Sequence, residues 1–364
     1  MRNEPGKNNE LIQILKMVAP GTDLREGLDN ILKARTGGLI VISDSAEVMK
    51  LADGGFKINE DYSPAKIYEL AKMDGAIVLS KDAKKILLAN TQLVPDATIP
   101  TVETGTRHRS GERVAKQTNE LVVSISQRRN IITLFKGNTR YVINESAKVL
   151  ARANQAMQTL EKYKTAFDDI ISIINEFEFD DIVTLQNVVT AIQRAELSMR
   201  VVLEISSYII ELGDEGRLIE LQLDELSKDV EVAETLLIRD YLVEPLTAEQ
   251  IVEDVSSLSR NELMDSTNIA KKLGYNVDKS LDDIEVPSRG YRQLSKIPKT
   301  PISVIENMNK KLGDFQHIIR ATIDELDAVD GIGEIRAQNI KQGIKRNFRW
   351  KTKILCYENA SRRH

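Results

Sequence analysis

The segment Asp74-Gly75-Ala76-Ile77-Val78-Leu79 places an acidic turn directly ahead of four apolar residues. A short apolar run bounded by a turn signal is typical of a strand that is buried on both faces. Leu39 to Ile42 (LIVI) repeats this pattern after two glycines. An Asp-Gly pair at a strand end can present a carboxylate to a phosphate or a metal ion, although Asp-Gly alone is also a routine turn.

Helical and strand patterns alternate on either side of these two strands. Apolar residues recur with helical spacing over Glu10 to Val18, Leu24 to Leu32 and Pro64 to Met73. Further strands are predicted at Ile86 to Leu88, Glu120 to Ser126, Asn130 to Lys136 and Thr139 to Ile143, and the last three have the close spacing of a meander. We therefore predict an α/β domain with a mixed sheet over residues 1–145.

The rest of the chain has almost no strand signal. Residues 146–286 contain long helical patterns, such as Val149 to Ile174 and Val188 to Leu212, and are predicted to form an all-α spine. Residues 287–364 are short, basic and helical, with turn signals at Pro298, Gly313 and Gly331-Ile332-Gly333. The predicted fold is thus multidomain: an α/β domain, an all-α spine and a small all-α C-terminal domain.

Charge is distributed unevenly among these parts. Residues 1–150 carry 22 Lys and Arg against 18 Asp and Glu, a net charge of +4. Residues 151–286 carry 12 against 29, or −17, and residues 287–364 carry 16 against 8, or +8. Such asymmetry suggests separate functions, and the basic end is the candidate for a nucleic-acid contact. The alternative is that each block only has a solvated surface.

The compartment is predicted from what the sequence lacks. The first residues show no apolar stretch of a signal peptide, and no apolar run reaches the length that spans a membrane. The single cysteine, Cys356, cannot form an internal disulfide, which fits a reducing compartment. We expect a cytoplasmic protein that makes no membrane contact.

Gly105-Thr106-Arg107-His108-Arg109-Ser110-Gly111-Glu112-Arg113 has the residue types of a polyphosphate-binding loop. Arginine offers a fixed fork of donors to phosphate oxygens, and hydroxyl and backbone N–H groups can complete a cradle. A helix predicted over Glu112 to Asn119 would place this cradle near a helix N-terminus. His108 lies between two arginines, which should disfavour its protonated form. A solvated basic loop is the alternative.

The basic C-terminal block contains a helix-hairpin-helix pattern around Val329-Asp330-Gly331-Ile332-Gly333. Two glycines allow a tight turn whose N–H groups can meet a DNA phosphate, a contact that ignores sequence. Positive charge follows at Arg336, Lys341, Lys345, Arg346, Arg349, Lys351 and Lys353. Leu294 to Pro301 is predicted as a degenerate first hairpin that lacks the Gly-x-Gly.

Together, Asp74-Gly75-Ala76 and Arg107-His108-Arg109 resemble the motifs of the diadenylate cyclase family. The resemblance covers nearly the whole chain. It is to those members of the family in which a cyclase domain is followed by a helical spine and helix-hairpin-helix units. Each motif is short, but the three features in one chain make the resemblance specific. The resemblance implies condensation of two ATP molecules into cyclic di-AMP and two pyrophosphates.

The resemblance also implies roles for individual residues. Asp74 matches a catalytic aspartate that helps to bind a divalent metal, and His108 matches a residue near that metal. The implied ATP-binding positions are Asp74, Gly75, Leu93, Thr106, Arg107, His108, Arg109, Ser110 and Ser126, where Leu93 matches the adenine pocket. Ser110 replaces a threonine that is frequent in the family and keeps the hydroxyl. For DNA, the candidates are Gly331, Gly333, Arg336, Lys341, Lys345 and Arg346.

The implied cofactor is Mg²⁺ or Mn²⁺, and the implied partners are ATP and branched DNA. The resemblance implies that bound DNA lowers the cyclase activity. Because the product is two-fold symmetric, the simplest enzyme has two identical half-sites facing each other across a two-fold interface. The resemblance extends this to an octamer of four such dimers, associated with the nucleoid.

Two other interpretations remain open at this point. A DNA-binding scaffold with a nucleotide-sensing, non-catalytic N-terminal domain should have lost the carboxylate or the phosphate clamp, yet both Asp74 and the arginines are present. A DNA-processing nucleotidyltransferase or nuclease should carry several metal-binding carboxylates on the sheet, and only Asp44 and Asp74 lie beside predicted strand ends. A P-loop glycine motif is missing from the sequence.

Overall fold

Eight strands of the N-terminal part form one mixed sheet. The computed structural model describes the backbone of residues 7–346 and the side chains of residues 10–346. Its strands are β1 (Gly38–Ile42), β2 (Ala52–Asp53), β3 (Phe56–Asp61), β4 (Ala76–Leu79), β5 (Lys85–Leu93), β6 (Leu121–Ser126), β7 (Ile131–Lys136) and β8 (Thr139–Val142). Their order is β2-β5-β4-β1-β6-β7-β8, with β3 paired to β5. β1 and β4 are parallel and the other pairs antiparallel, which confirms the predicted mixed sheet.

Helices cover both faces of this sheet. They are α1 (Lys7–Met17), α2 (Asp23–Ala34), α3 (Ala46–Leu51), α4 (Pro64–Leu70) and α5 (Thr106–Thr118). Ile40 and Ile42 of β1 pack in one apolar cluster with residues of α1, α2 and α4, whereas Leu39 and Val41 pack in another with residues of α3 and α5. The two-residue period of the strand thus divides one apolar run between two cores.

Strand β3 and the second half of β5 were not predicted from the sequence. β3 (FKINED) pairs only with β5 and is mostly exposed, so it has no apolar face to give an alternating pattern. β5 continues to Leu93 instead of ending at Leu88, and α3 is a single short segment of six residues. β3 lies at the margin of the sheet, where burial does not constrain its sequence, whereas the second half of β5 alternates buried and exposed residues and includes the buried polar residue Thr91.

The middle of the chain is helical, as predicted. Its helices are α6 (Ser146–Asp180), α7 (Leu185–Leu212), α8 (Arg217–Tyr241), α9 (Ala248–Ser256), α10 (Arg260–Met264) and α11 (Ser266–Lys272). The C-terminal part adds α12 (Tyr291–Ser295), α13 (Ile302–Leu312), α14 (Phe315–Arg320), α15 (Ile323–Asp327) and α16, of which residues 334–346 are described. These last five helices share one apolar core. No helix within residues 7–346 is long and apolar enough to cross a membrane.

The chain divides into two compact units. One contains the described residues up to 154 together with 206–220, and the other contains 155–205 and 221–346. In the first unit the turn after α7 packs on the N-terminal helices, where Asp214 N donates to Pro20 O at 3.1 Å. Glu211 Oε1 also accepts hydrogen bonds from the backbone and side-chain nitrogens of Asn144. The domain limits 1–145, 146–286 and 287–364 remain a prediction.

Candidate functional site

The starts of two parallel strands and the end of a third meet at one edge of the sheet. β1 and β4 run side by side in register, so Gly38 and the Asp74-Gly75 turn lie at the same edge. β6 runs antiparallel to β1 with Ile125 opposite Gly38, which brings Ser126 to that edge as well. Strand register thus brings together site residues that are about fifty positions apart in sequence.

Helix α5 begins within the segment that was predicted to be a phosphate-binding loop. Gly105 is its N-cap, and Thr106 is its first helical residue, six positions before the predicted start at Glu112. The prediction of a loop is wrong because Arg109 N already donates to Gly105 O at 2.9 Å, which closes the first turn. No side chain caps this helix, so its first N–H groups are available to an anion.

Gly111 does not end a loop, as its place in the predicted motif suggested, but allows close packing between α5 and the sheet. A Cβ atom at this position would lie 3.0 Å from Leu39 Cδ1 and 3.3 Å from Val122 Cγ1. The glycine therefore lets α5 lie close to the sheet. This packing holds the first turn of the helix over the edge where Asp74 lies.

The Arg107 guanidinium joins this helix to the strand starts. Its Nη2 donates to Asp74 Oδ1 at 3.2 Å, and its Nη1 donates to Thr36 O at 3.4 Å. Gly37 adopts a φ of +71°, and a Cβ atom there would lie 2.7 Å from Arg107 Nη1. Gly37 thus provides the space that the guanidinium occupies.

Asp74 is held by its backbone and not by burial. Its side chain is fully exposed, and Arg107 is its ion-pair partner. The following Gly75 has a φ of +108°, and a Cβ atom on it would lie 2.8 Å from the backbone carbon of Asn90. Glycine is therefore required for the turn that presents the Asp74 carboxylate to solvent.

His108 is half-buried beneath the first turn of α5. Its ring packs edge to face with Phe135, with ring centroids 6.3 Å apart and an interplanar angle of 85°. Burial lowers the pKa of His108, Glu103 opposes this shift, and Arg129 and Arg140 reinforce it. The pKa is lowered as predicted, but the cause is burial and more distant arginines instead of the two flanking ones. The buried Nε2 atom has no hydrogen-bond partner within the part of the chain that the structure describes.

The remaining predicted ATP-binding residues lie near the same edge. Leu93 ends β5, two residues after Thr91, which is opposite Ala76, so Leu93 lies beside the Asp74 turn. Its side chain is 7 % exposed and belongs to the apolar cluster under α5. Arg109 is exposed and Ser110 is half-buried, and both follow in the first turns of α5.

A cleft of about 720 Å³ opens at this edge. Its walls are formed by Asp74, Glu103, Thr104, Gly105, Thr106, Arg107, His108, Ile125, Ser126, Gln127, Arg128 and Arg129. Three arginines face two carboxylates there, and Glu103 is already paired with Arg140 at 2.6 Å. The cleft is therefore suited to an anionic ligand.

Sequence reasoning missed Thr36, Gly37 and Glu103, and it counted Arg113 among the arginines of the predicted phosphate-binding loop. Arg113 Nε donates to Ile99 O at 2.9 Å, and Glu112 accepts a hydrogen bond from Thr101. These side chains tie the loop before α5 to the helix and do not line the cleft. Only the Arg35-to-Gly38 turn gave a sequence signal, as a helix stop. The other contacts join residues that are distant in sequence.

The donor atoms at this edge fit a magnesium-type ion better than a closed metal site. Within residues 10–346, no group of three or more His, Cys, Asp or Glu side chains is placed to hold a metal. Mg²⁺ is commonly held by one or two carboxylates together with substrate phosphates and water. Asp74 can supply such a carboxylate, whereas imidazole is not a donor that Mg²⁺ prefers. The metal role of His108 stays a prediction.

The C-terminal hairpin has its carbonyl groups turned toward its own domain. Arg336 Nη1 donates to Gly331 O, Lys311 Nζ donates to Ala328 O, and Asn307 Nδ2 donates to Asp330 O at 3.0 Å. The carbonyls of Ala328, Asp330 and Gly331 are thus occupied, and the Ile332 N–H is occupied as well because it donates to Val329 O at 3.0 Å.

The two hairpin glycines have different roles. Gly331 needs its φ of +84°, whereas Gly333 has no positive φ and, among the described residues, no atom within 4 Å of the position that a Cβ would take. Neither its conformation nor its packing against residues up to 346 requires a glycine at position 333. Its missing side chain leaves the backbone open to close approach from outside.

The predicted degenerate hairpin adopts a backbone similar to that of the second one. Lys299 has a φ of +63° at the place where Gly331 has +84°. Ile297 N donates to Leu294 O, as Val329 N donates to Leu326 O in the second hairpin. The four apolar residues of these bonds are buried in both hairpins. The two hairpins are therefore similar at these positions, with an offset of 32 residues, although the bond from Ile332 N to Val329 O is described only in the second.

The basic residues of α16 divide into two groups. Lys345 and Arg346 are exposed, whereas Lys341 Nζ donates to Ile319 O at 2.7 Å and is partly buried. Burial lowers the pKa of Lys341, and Lys345 adds to this effect while Glu325 opposes it. Lys341 thus holds α14 in place. Arg349, Lys351 and Lys353 lie outside the described residues.

Family models match three successive parts of the chain. Residues 25–140 match the nucleotide-binding region of the DisA bacterial checkpoint controller, residues 143–281 match its linker region, and residues 314–342 match the helix-hairpin-helix motif. The chain is 56% identical to the DNA integrity scanning protein DisA of Acetivibrio thermocellus over 93% of this chain and 95% of that one. The chain belongs to the DisA family.

Other DisA proteins are similarly close. Those of Clostridium acetobutylicum and Clostridium botulinum are 55% and 54% identical, over 93% of this chain and 95% and 96% of theirs. The nucleotide-binding match of the DisA family contains every residue that lines the cleft. The helix-hairpin-helix match contains Gly331, Gly333 and Lys341 and ends before Lys345.

Proposed function

We propose that this protein joins two ATP molecules into cyclic di-AMP and releases two pyrophosphates. The observation that carries the proposal is the contact of Arg107 with Asp74 at the uncapped start of α5. It puts a phosphate-binding fork and an exposed carboxylate side by side in an arginine-rich cleft. Phosphoryl transfer depends mainly on such positioning and on charge neutralisation.

Each transfer exchanges one P–O bond for another. The 3′-oxygen of one ATP attacks the α-phosphorus of the second, and the bond from that phosphorus to the bridging oxygen of the pyrophosphate breaks. Asp74 favours the deprotonated 3′-oxygen, while Arg107, Arg109 and the first N–H groups of α5 bind the triphosphate and offset charge on the leaving pyrophosphate. Repeating the step with the roles exchanged closes the ring.

The remaining site residues bind and orient the substrate. Gly75 offers a backbone contact, Ser110 and Ser126 offer hydroxyls, and Leu93 forms an apolar wall for adenine. Asp74, with His108 nearby, would hold Mg²⁺ or Mn²⁺. When bound, such an ion supplies positive charge beside the attacking oxygen and the phosphate.

The symmetry of the product requires a symmetric arrangement of sites. One subunit presents one Asp74 and one cleft, so we propose that two subunits face each other, each with one ATP, and that four such dimers form an octamer. A monomer should bind ATP without closing the ring. Dilution should therefore lower the rate per subunit while the ATP affinity of each subunit is unchanged.

The C-terminal hairpins are proposed to bind branched DNA at the nucleoid and to lower cyclase activity when they do so. Gly331 and Gly333 bring backbone N–H groups to phosphates, and Arg336, Lys345 and Arg346 add positive charge, while Lys341 supports this surface by binding the Ile319 carbonyl. The similarity of the two hairpins supports contacts to two backbone segments. Such contacts select shape instead of base sequence.

The test is to incubate the purified full chain with ATP and Mg²⁺ or Mn²⁺ and to identify products by chromatography and mass. Cyclic di-AMP that forms more slowly with four-way junction DNA than with linear duplex supports the whole proposal. No cyclic product from a folded, oligomeric sample with either metal overturns the cyclase assignment. The nucleotide-sensing DNA-binding scaffold would then be the better account.

A further inference from the structure

Three buried ionisable side chains join three helices in the second unit. Glu178 of α6, Asp240 of α8 and Arg292 of α12 are each at most 3 % exposed. Arg292 Nη2 donates to Glu178 Oε1 at 2.6 Å, and Arg292 Nε donates to Asp240 Oδ2 at 3.0 Å. One guanidinium thus bridges carboxylates from two helices of the spine.

Uncharged side chains also donate hydrogen bonds to the Glu178 carboxylate. Tyr241 OH and Ser288 Oγ donate to Oε1 at 2.7 and 2.8 Å, and Gln293 Nε2 donates to Oε2 at 3.0 Å. Gln316 Nε2 also donates to the Glu178 carbonyl at 2.6 Å. Four donors from three parts of the chain therefore converge on one residue of α6.

Asp240 caps α12 from another helix. Gly290, the N-cap of α12, supplies no side chain, and the N–H groups of Tyr291 and Arg292 donate to the two carboxylate oxygens of Asp240. These are the first two helical N–H groups of α12, which would otherwise lack partners. The position and direction of α12 are therefore set by α8.

The cost of this cluster argues against a role in stability alone. Removing three charges from water is expensive, and well-packed apolar residues in their place are often as stable or more so. What the ionic arrangement provides is one defined geometry, because each bond fixes a direction as well as a distance. The helix that it fixes, α12, leads directly into the hairpin formed by residues 296–301.

We propose that Arg292, with Glu178 and Asp240, is the positioning contact through which DNA on the hairpins acts on the spine. The hairpin pair shares one apolar core, so a shift of α12 moves both hairpins together. Because Arg292 is bonded to Glu178 of α6 and to Asp240 of α8, that shift is passed to both helices of the spine. This inference rests on the proposed function, because it concerns how DNA lowers the rate of cyclic di-AMP formation.

The test replaces the three ionisable side chains with apolar side chains of similar volume. The variant Glu178→Met/Asp240→Leu/Arg292→Met should fold, bind junction DNA and form cyclic di-AMP without DNA as the wild type does. It should lose the slowing by junction DNA. The control is Glu196→Met/Arg200→Met, which removes an ion pair within α7 between the buried Glu196 and the partly exposed Arg200 and should keep the DNA effect.

The possible outcomes distinguish a failure of the proposed function from a failure of the positioning role. If the wild type forms no cyclic product, or forms it equally fast with and without junction DNA, the proposed function fails and the positioning role fails with it. If the wild type is slowed by DNA and the triple variant is slowed equally, the positioning role alone is overturned.

A milder variant covers the outcome in which the triple variant does not fold. Tyr241→Phe/Ser288→Ala removes only two hydroxyl hydrogen bonds to Glu178 and leaves the charges in place. We expect it to reduce the effect of DNA on the rate while DNA affinity is unchanged. Hydrogen exchange gives a second readout: DNA should protect amides around Glu178 and Asp240 in the wild type and not in the variant. Equal protection in both proteins would overturn the role.

Discussion

Arg107 Nη2 lies 3.2 Å from Asp74 Oδ1, although the Asp74 side chain is fully exposed. An ion pair in such a setting contributes little to stability, so its value lies in geometry. Arg107 is fixed by its place in the first turn of α5, and Asp74 is fixed by the turn at Gly75. The contact therefore aligns the group that binds phosphate with the group that we propose to activate the attacking oxygen.

The space for Arg107 can be removed without touching a charged residue. In Gly37→Ala the new Cβ atom would lie 2.7 Å from Arg107 Nη1 and displace the guanidinium. We expect cyclic di-AMP formation to fall by about 10²-fold, as when a positioned donor to transition-state charge is lost. The measurement is the initial rate at saturating ATP.

Gly54→Ala is the control for backbone strain. Gly54 has a similar φ of +64°, but no atom lies within 4 Å of its Cβ position. Both variants should lose about 1 kcal/mol of unfolding free energy from the left-handed conformation. If Gly54→Ala lowers the rate as much as Gly37→Ala does, strain and not the displacement of Arg107 is responsible.

Gly333 tests the proposed approach of DNA to the hairpin backbone. Gly333→Ala meets no atom and needs no unusual φ, so the unfolding free energy should change by less than about 1 kcal/mol. Its methyl group would nevertheless stand where a phosphate approaches, and we expect weaker binding to every DNA shape. Fluorescence anisotropy with junction and duplex DNA measures this. Unchanged affinity for both would contradict phosphate contact at this hairpin.

Salt dependence distinguishes the basic residues of α16. Lys345→Ala and Arg346→Ala should each reduce the slope of log affinity against log salt by about 1, because each removes one phosphate contact. Lys341→Ala should instead lower the melting temperature, since Lys341 Nζ binds the Ile319 carbonyl. A slope for Lys345→Ala equal to that of the wild type would mean that this lysine does not face DNA.

The stability of the second unit should depend on pH through Asp240. Burial, with the charge of Glu178, raises the pKa of Asp240 from 3.8 to about 7. A carboxyl with a raised folded-state pKa favours folding most at low pH, and this contribution is lost as pH rises from about 4 to about 7. The unfolding free energy of the wild type should therefore fall relative to Asp240→Asn across that window. A constant difference between the two proteins from pH 4 to pH 8 would contradict the raised pKa.

The sequence predicted the central strands well because burial constrains them on both faces. Leu39 to Ile42 and Ala76 to Leu79 lie between two apolar cores, so their apolar runs report their position directly. β3 pairs with one neighbour and is mostly exposed, so its sequence carries no such signal. The start of α5 was misplaced because clustered charge and two glycines suggested a loop, whereas Gly111 is needed for close packing.

The composition of the candidate site was predictable, but its contacts were not. Short motifs named Asp74 and Arg107, yet nothing in the sequence joins them or shows that Gly37 makes room for the guanidinium. The cluster of Glu178, Asp240 and Arg292 was also invisible, because its members are up to 114 positions apart. Such contacts follow from the fold and not from any local pattern.

The most direct test of the central claim compares Asp74→Asn with Asp61→Asn, an exposed aspartate at the end of β3. Cyclic di-AMP formation and ATP binding should be measured on the same full-length samples with Mg²⁺ or Mn²⁺. We expect Asp74→Asn to bind ATP but to form no detectable product, and Asp61→Asn to resemble the wild type. Product formation by Asp74→Asn at the wild-type rate would show that Asp74 is not the catalytic carboxylate.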